Sequence, residues 1–373
     1  MFSYFVVKKL KLHAPEMRLI QREDTAFTKV IETLNRIASS DKDIHVEEYL
    51  NARYIMIMQF IPSITFDKID VRLSDIVFDI SYTNGRERLF DIGRIYAVDS
   101  FLNFRERLPF PWNNTQYKEL YNILFESSIH RSYTEKYLGR VFIINTSCDC
   151  FTNEPSSQTL IASYINQLEG WLKSVIADCN QIMKGEIDIN RYKFESIKEL
   201  KEVAKEKGGI NGICALEITF GIIIGYYNIK QMGISILQRI FNKAKTIGIE
   251  GNKEDWKEQI DKTINMVYFK SVYEMLDNLI SENIDTVSWV LQVTERYKVI
   301  EEFDDDNEEY EILFLDIDES YMMRAKEVIS IPRVETPKER KPIIFKKPEE
   351  VPKEEVPKKE VPVVRKSCCC NII

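Results

Sequence analysis

Residues 155–182 read PSSQTLIASYINQLEGWLKSVIADCNQI, and this stretch divides the chain. Within it Ile161, Ile165, Leu168, Leu172, Val175, Cys179 and Ile182 recur at alternating spacings of four and three, an a/d register held for three heptads. Pro155 and Ser156 supply helix-start chemistry. The register predicts a helix whose apolar stripe, widened by Leu160 and Trp171, fills the core of a bundle in the same chain. The same stripe offers a route to a homo-oligomer through residues 161–182.

On the N-terminal side of this stretch the period is mixed. Met1–Leu12, MFSYFVVKKLKL, reads as a first strand from its alternation and β-branched content. Asp24–Ala38 places Phe27, Val30, Ile31, Leu34 and Ile37 on one helical face, with Asp24 as its cap. Tyr54–Ile61 and Ile69–Tyr82 read as strands. Asn84-Gly85, between residues 76–82 and 89–92, has the positive-φ tolerance of a type I′ hairpin turn. Residues 115–129 return to a helical period, and Val141–Ile144 reads as a buried strand. On the C-terminal side helices are expected at 195–206, 230–247 and 253–280. Ile210–Tyr227 is apolar but carries Asn211, Glu217 and glycines, so it is expected to be a buried helix or strand pair rather than a membrane span. Residues 297–300 and 312–315 flank the acidic run Glu301–Glu309 as an expected hairpin.

The fold class expected is therefore α+β. A mixed α/β region (1–150) is followed by a mainly helical region (151–331), then by a disordered E-V-P repeat linker (332–367) and a lipidation motif (368–373). Composition supports the tail boundary. The chain has net charge −8, yet residues 331–373 alone carry +4, and seven of the 12 prolines lie between Pro332 and Pro362. Proline fixes φ and removes a donor, so the repeated Glu-Val-Pro units at 350, 355 and 360 favour an extended spacer. An acidic body (pI about 5.3) disfavours nucleic acid as a partner. Seven cysteines in a chain of this length do not suggest a disulfide scaffold.

The chain ends Cys368-Cys369-Cys370-Asn371-Ile372-Ile373. Cys370-Asn371-Ile372-Ile373 resembles the CaaX box of prenylated proteins, with the thiol fourth from the end and an aliphatic residue at the second middle position. The resemblance implies prenylation of Cys370 by a prenyltransferase, with geranylgeranyl favoured by the terminal Ile. One prenyl chain binds membranes weakly, so palmitoylation of Cys368 and Cys369 is the expected second signal, with Arg365 and Lys366 as basic membrane contacts. The opening run Phe2–Val7 is too short for a signal-peptide core, and Phe2 stands where N-myristoylation needs Gly.

Contiguous catalytic signatures are missing. His13, His45 and His130 have no His or Cys partner at metal-ligand spacing, and neither G-x-x-x-x-G-K-[ST] nor G-x-G-x-x-G occurs. Gly208–Gly212 reads as a helix connection, Cys148-Asp149-Cys150 as an inert loop pair with His130 a distant base, and Asp304-Asp305-Asp306 as a solvated loop. No catalytic residue, metal ligand or cofactor is expected, and residues 1–331 resemble no family. The reading these facts favour is a peripheral protein on the cytoplasmic face of a plasma membrane or endomembrane. Its body would be a non-enzymatic scaffold for host or cellular proteins, of viral or pathogen-effector type. The alternative is a membrane-tethered enzyme whose site is assembled from distant residues.

Overall fold

The computed structural model describes residues 1–294 apart from 23, 40–45, 52–53, 70–79, 81–84, 113–119, 128–137, 145–147, 149–150, 155, 186, 206–208 and 247–252. By compactness the chain divides into Met1–Leu315 and Asp316–Ile373. The 297–315 hairpin, the acidic runs, the E-V-P repeat and the whole lipidation motif with Arg365 and Lys366 fall outside the described residues, as do His45, His130, Asp149 and Cys150.

Two helices cross at the centre. α4 (Gly85–Phe101) packs on α7 (Gly212–Thr246). A Cβ on Gly93 would lie 2.0 Å from the Ile218 carbonyl oxygen, and one on Gly221 would lie 2.0 Å from that of Phe90, so the backbones themselves touch. α4 is buried over most of its length, Leu89, Ile92, Ile95, Tyr96, Val98 and Phe101 among its buried residues, while Glu87 is exposed and Asp91 and Arg94 pair with each other half-buried. Buried residues at successive positions leave no clean apolar stripe to read. That corrects the expected hairpin: residues 89–92 are helical, and Gly85 begins a helix rather than completing a turn.

α7 confirms the buried reading of Ile210–Tyr227 as a helix. It is long and apolar enough to cross a membrane (mean hydropathy 1.5), but 83% of that window is buried in the protein. Asn211 Oδ1 accepts from Cys214 N at 2.8 Å and caps its start, so residues 209–211 are the described part of the expected helix connection. Gly233 (φ 69°) bends it, so the expected 230–247 helix is its second half.

α5 (Ser157–Met183) follows the heptad reading closely. Ile161, Leu168, Leu172, Val175 and Cys179 are buried against the rest of the chain, with α7, α9 (Met266–Glu282) and α10 (Ile284–Val293) packed on it. The stripe is occupied within the protein, not displayed as a coiled-coil seam. The expected 253–280 helix is two helices. α8 (Lys253–Thr263) ends, and Asn265 accepts from Val267 N at 2.9 Å to cap α9, leaving Val267 61% exposed. α6 (Lys198–Lys205) with the short 3₁₀ turn before it matches the expected 195–206 helix.

The N-terminal part holds two small antiparallel sheets. β1 (Met17–Gln21) pairs with β2 (Tyr54–Met58), Met17 opposite Met58. α2 (Thr25–Ala38) and the short α3 (Val46–Leu50) cover this pair, with Ile20, Phe27, Ile31, Val46 and Ile55 as a separate small core. β3 (Ser63–Thr65), β4 (Ile123–Ser127) and β5 (Leu138–Ile143) form the second sheet in that order. The expected 115–129 helix is corrected to a strand in its second half. Ile123, Leu124 and Phe125 are all buried, so both faces of β4 are covered and its period of two is hidden. The opening segment is also corrected, from strand to helix α1 (Phe2–Lys9). Phe2, Phe5, Val6 and Leu10 have helical spacing and bury against the core, with the Phe2 ring 5.7 Å from Phe269.

Candidate active site

The segment joining α4 to β4 carries charge into an otherwise apolar neighbourhood. Residues 98–110 read VDSFLNFRERLPF. The helix ends at Phe101, and Asn103 adopts φ 53°, a left-handed conformation that Asn tolerates better than most residues. Asn103 Oδ1 accepts from Arg105 Nε at 2.7 Å, and the Arg105 guanidinium lies 5.1 Å from the centre of the Tyr164 ring. Arg105 is half-buried and Glu106 is exposed; Glu106 is the single acid between Leu102 and Phe110.

Arg107 turns inward. It is fully buried and donates from Nη1 to Asp99 Oδ1 at 2.7 Å and from Nη2 to the Ile144 carbonyl at 3.0 Å. Its guanidinium also lies 4.7 Å from the centre of the Phe104 ring. One side chain thus fastens the loop both to the helix before it and to the end of β5. Burial drives the Asp99 carboxyl up to about 7, with the charge of Arg107 pulling the other way. Asp99 Oδ2 is buried with no hydrogen-bond partner among the described residues. At the far end of the loop, Tyr96 OH donates to the Pro109 carbonyl at 3.1 Å.

A second buried carboxylate lies in α5. Asp178 accepts from Tyr192 OH at 2.7 Å through Oδ1, and from Ser196 N at 3.2 Å and Ser196 Oγ at 2.5 Å through Oδ2. Trp171 Nε1 donates to the Ser196 carbonyl at 2.7 Å beside it. Burial raises the Asp178 pKa and its three hydrogen bonds oppose that. Both oxygens face donors from its own fold, so this group fastens the 192–196 segment to α5.

Of the histidines and loop cysteines weighed in the sequence, His13 and Cys148 fall among the described residues. The His13 carbonyl accepts from Ile143 N at 2.9 Å and its ring stands 5.5 Å from Phe142. Burial pushes its imidazole pKa down, which makes it a packing residue between the α1–β1 connection and β5. Cys148 is half-buried against the core. Among the described residues no group of three or more His, Cys, Asp or Glu side chains could hold a metal ion. The residues that sequence reading missed are Asp99, Asn103, Arg105, Glu106 and Arg107. The available signal was Asp99 itself, an acid that with Ser100 interrupts the apolar stretches 95–98 and 101–102 and therefore needs a buried partner.

The family model described as "Actin-fragmin kinase, catalytic" matches residues 1–226. A protein of Dictyostelium discoideum named "Putative actin-fragmin kinase" is 25% identical over 280 residues, covering 73% of this chain and 60% of the relative. The chain therefore spans about 60% of the length of the curated relative it matches. These matches correct the expectation that residues 1–331 resemble no family. They also overturn the non-enzymatic scaffold as the account of the body, and favour the enzyme alternative instead; the lipidation motif at 368–373 lies outside the family match.

Proposed function

We propose a phosphoryl-transfer function, because the chain belongs to the actin-fragmin kinase catalytic family. The family match over residues 1–226 carries the reading, and the Leu102–Phe110 loop lies inside it. The substrate is proposed from the family's description: actin in its complex with fragmin. The donor of kinases is a nucleoside triphosphate, which supplies the transferred phosphoryl group.

The chemistry of such a transfer is positioning plus electrostatics, with an acidic side chain accepting the proton of the attacking hydroxyl. Glu106 fits that role: it is a carboxylate open to solvent on a loop whose flanks are fixed by Arg107 and Tyr96. Arg105, held by Asn103, keeps a positive charge in the next position for an anionic group. Kinases hold Mg²⁺ with Asp and Asn side chains. Among the described residues no group of three or more His, Cys, Asp or Glu side chains could hold such an ion.

The test is transfer of radiolabelled phosphate from ATP to the actin–fragmin complex by the full chain. Wild type is expected to label actin, and Glu106→Gln to lower kcat by about 10²–10⁴. Absence of labelling by wild type, or full labelling by Glu106→Gln, would overturn the assignment.

A further inference from the structure

The loop that bears Glu106 begins where α4 ends, and the last carbonyls of a helix have no partners inside it. In α4 the last two of these, on Ser100 and Phe101, are taken by tyrosines from other helices. Tyr164 of α5 donates to the Ser100 carbonyl at 2.7 Å. Tyr268 of α9 donates to the Phe101 carbonyl at 2.9 Å and reaches that of Ser100 at 3.3 Å. Ser100 Oγ donates back to the Tyr96 carbonyl at 2.7 Å, so its short contact with Tyr226 of α7 has the Tyr226 hydroxyl as donor. Burial raises the Tyr226 pKa well above its ordinary value, which keeps that proton in place.

Three helices thus converge on two residues, and the next turn of chain is the left-handed Asn103. Its amide donates to the Ser100 carbonyl at 3.1 Å, and that of Phe104 to the Asp99 carbonyl at 2.7 Å. The direction in which the chain leaves α4, and with it the placement of Arg105 and Glu106, depends on where those carbonyls are held. Tyr164 and Tyr226 lie within the family-matched residues 1–226, whereas Tyr268 lies beyond them.

We propose that Tyr268 is a positioning residue: its hydroxyl fixes the Phe101 carbonyl so that the loop presents Glu106, and α9 is therefore an integral part of the active site. The catalytic half of this inference rests on the phosphoryl-transfer reading; the structural half does not. Tyr268→Phe removes only the hydroxyl. The ring keeps its packing against Phe151, Tyr164 and Phe269, with centres 5.4, 6.0 and 5.0 Å away.

Two readouts on the full-length chain decide it. In hydrogen exchange followed by mass spectrometry, Tyr268→Phe should speed exchange of the amides of residues 102–104 by about tenfold, the loss of one net hydrogen bond. In steady-state kinetics it should lower kcat about tenfold while KM for ATP holds. Tyr192→Phe, which loses a hydroxyl bond to Asp178 instead, is the comparison and should leave the 102–104 amides unchanged. Wild-type exchange at those amides in Tyr268→Phe overturns the proposal, as does equal acceleration by Tyr192→Phe. Faster exchange with unchanged kcat overturns the catalytic half. If wild type transfers no phosphate, the proposed function fails, and the exchange experiment still decides the tyrosine clamp.

Discussion

Asp99 and Asp178 are both buried carboxylates, and each fastens a connecting segment to a core helix, but they are neutralised in opposite ways. Asp99 faces a guanidinium, also fully buried, and one of its oxygens finds no partner among the described residues. Asp178 faces neutral donors, a phenol, a hydroxyl and a backbone amide, on both oxygens. A buried ion pair contributes little net stability, because desolvation offsets the attraction, but removing one member strands a charge. Neutral donors arranged around a carboxylate fail more gradually, one bond at a time. The ion pair joins the loop that carries Glu106 to α4, and the neutral cluster joins the 192–196 segment to α5. The site of proposed chemistry rests on the less forgiving of the two arrangements.

The largest expected effect comes from breaking the ion pair. Above the Asp99 pKa of about 7, where the carboxyl is ionised, Arg107→Ala leaves Asp99 without its partner and frees the loop from Ile144, at a cost of about 3–5 kcal/mol in urea unfolding. Phosphate transfer should be lost with it. Arg107→Lys should recover part of the stability but little of the activity, because a single ammonium cannot replace the guanidinium fork that reaches Asp99 and Ile144 together.

Next is pH. The folded Asp99 pKa is raised from 3.8 to about 7, so the native state holds this proton more tightly than the unfolded chain does. The stability it contributes is full below about 4 and is lost as pH rises through about 7. Thermal melts of wild type should therefore lose stability across that window relative to Asp99→Asn, which cannot titrate. Parallel pH profiles for the two proteins would refute the raised pKa.

Asp178→Ala should cost about 2–3 kcal/mol, since three donors lose their acceptor in a buried setting. It should leave the labelling rate per folded molecule close to wild type. Tyr192→Phe removes one of those bonds and should cost about 1 kcal/mol by the same urea titration. A cost for Tyr192→Phe as large as that for Arg107→Ala would erase the distinction between the two clusters.

The readable parts of this sequence were those with one buried face. α2 and α5 each show a stripe because one side meets the core and the other meets water, and both appear where the spacing places them. β5 was legible as an apolar run ending beside a polar segment. α4, β4 and α1 were misread for a shared reason. In each, buried residues occupy successive positions, 95–98 in α4, 123–125 in β4 and 5–7 in α1, so the period that separates helix from strand is blurred. The break between α8 and α9 was missed because it is made by one residue, Asn265, whose side chain caps the second helix.

The candidate site was illegible for a related reason. Its members are not a contiguous motif: Glu106 and Arg105 are supported by Asp99, by the Ile144 carbonyl, and by tyrosines at 96, 164, 226 and 268. By itself the sequence determined the α+β class, the amphipathic helices, the buried character of Ile210–Tyr227 and the compositional break near residue 331, because these follow from local periodicity and residue content. Tertiary structure decided the rest. Which carbonyl a tyrosine meets, and which acid a buried arginine neutralises, depends on chain segments up to 168 residues apart, as with Tyr268 and Ser100. Such pairings are set by packing in three dimensions, and no local spacing encodes them.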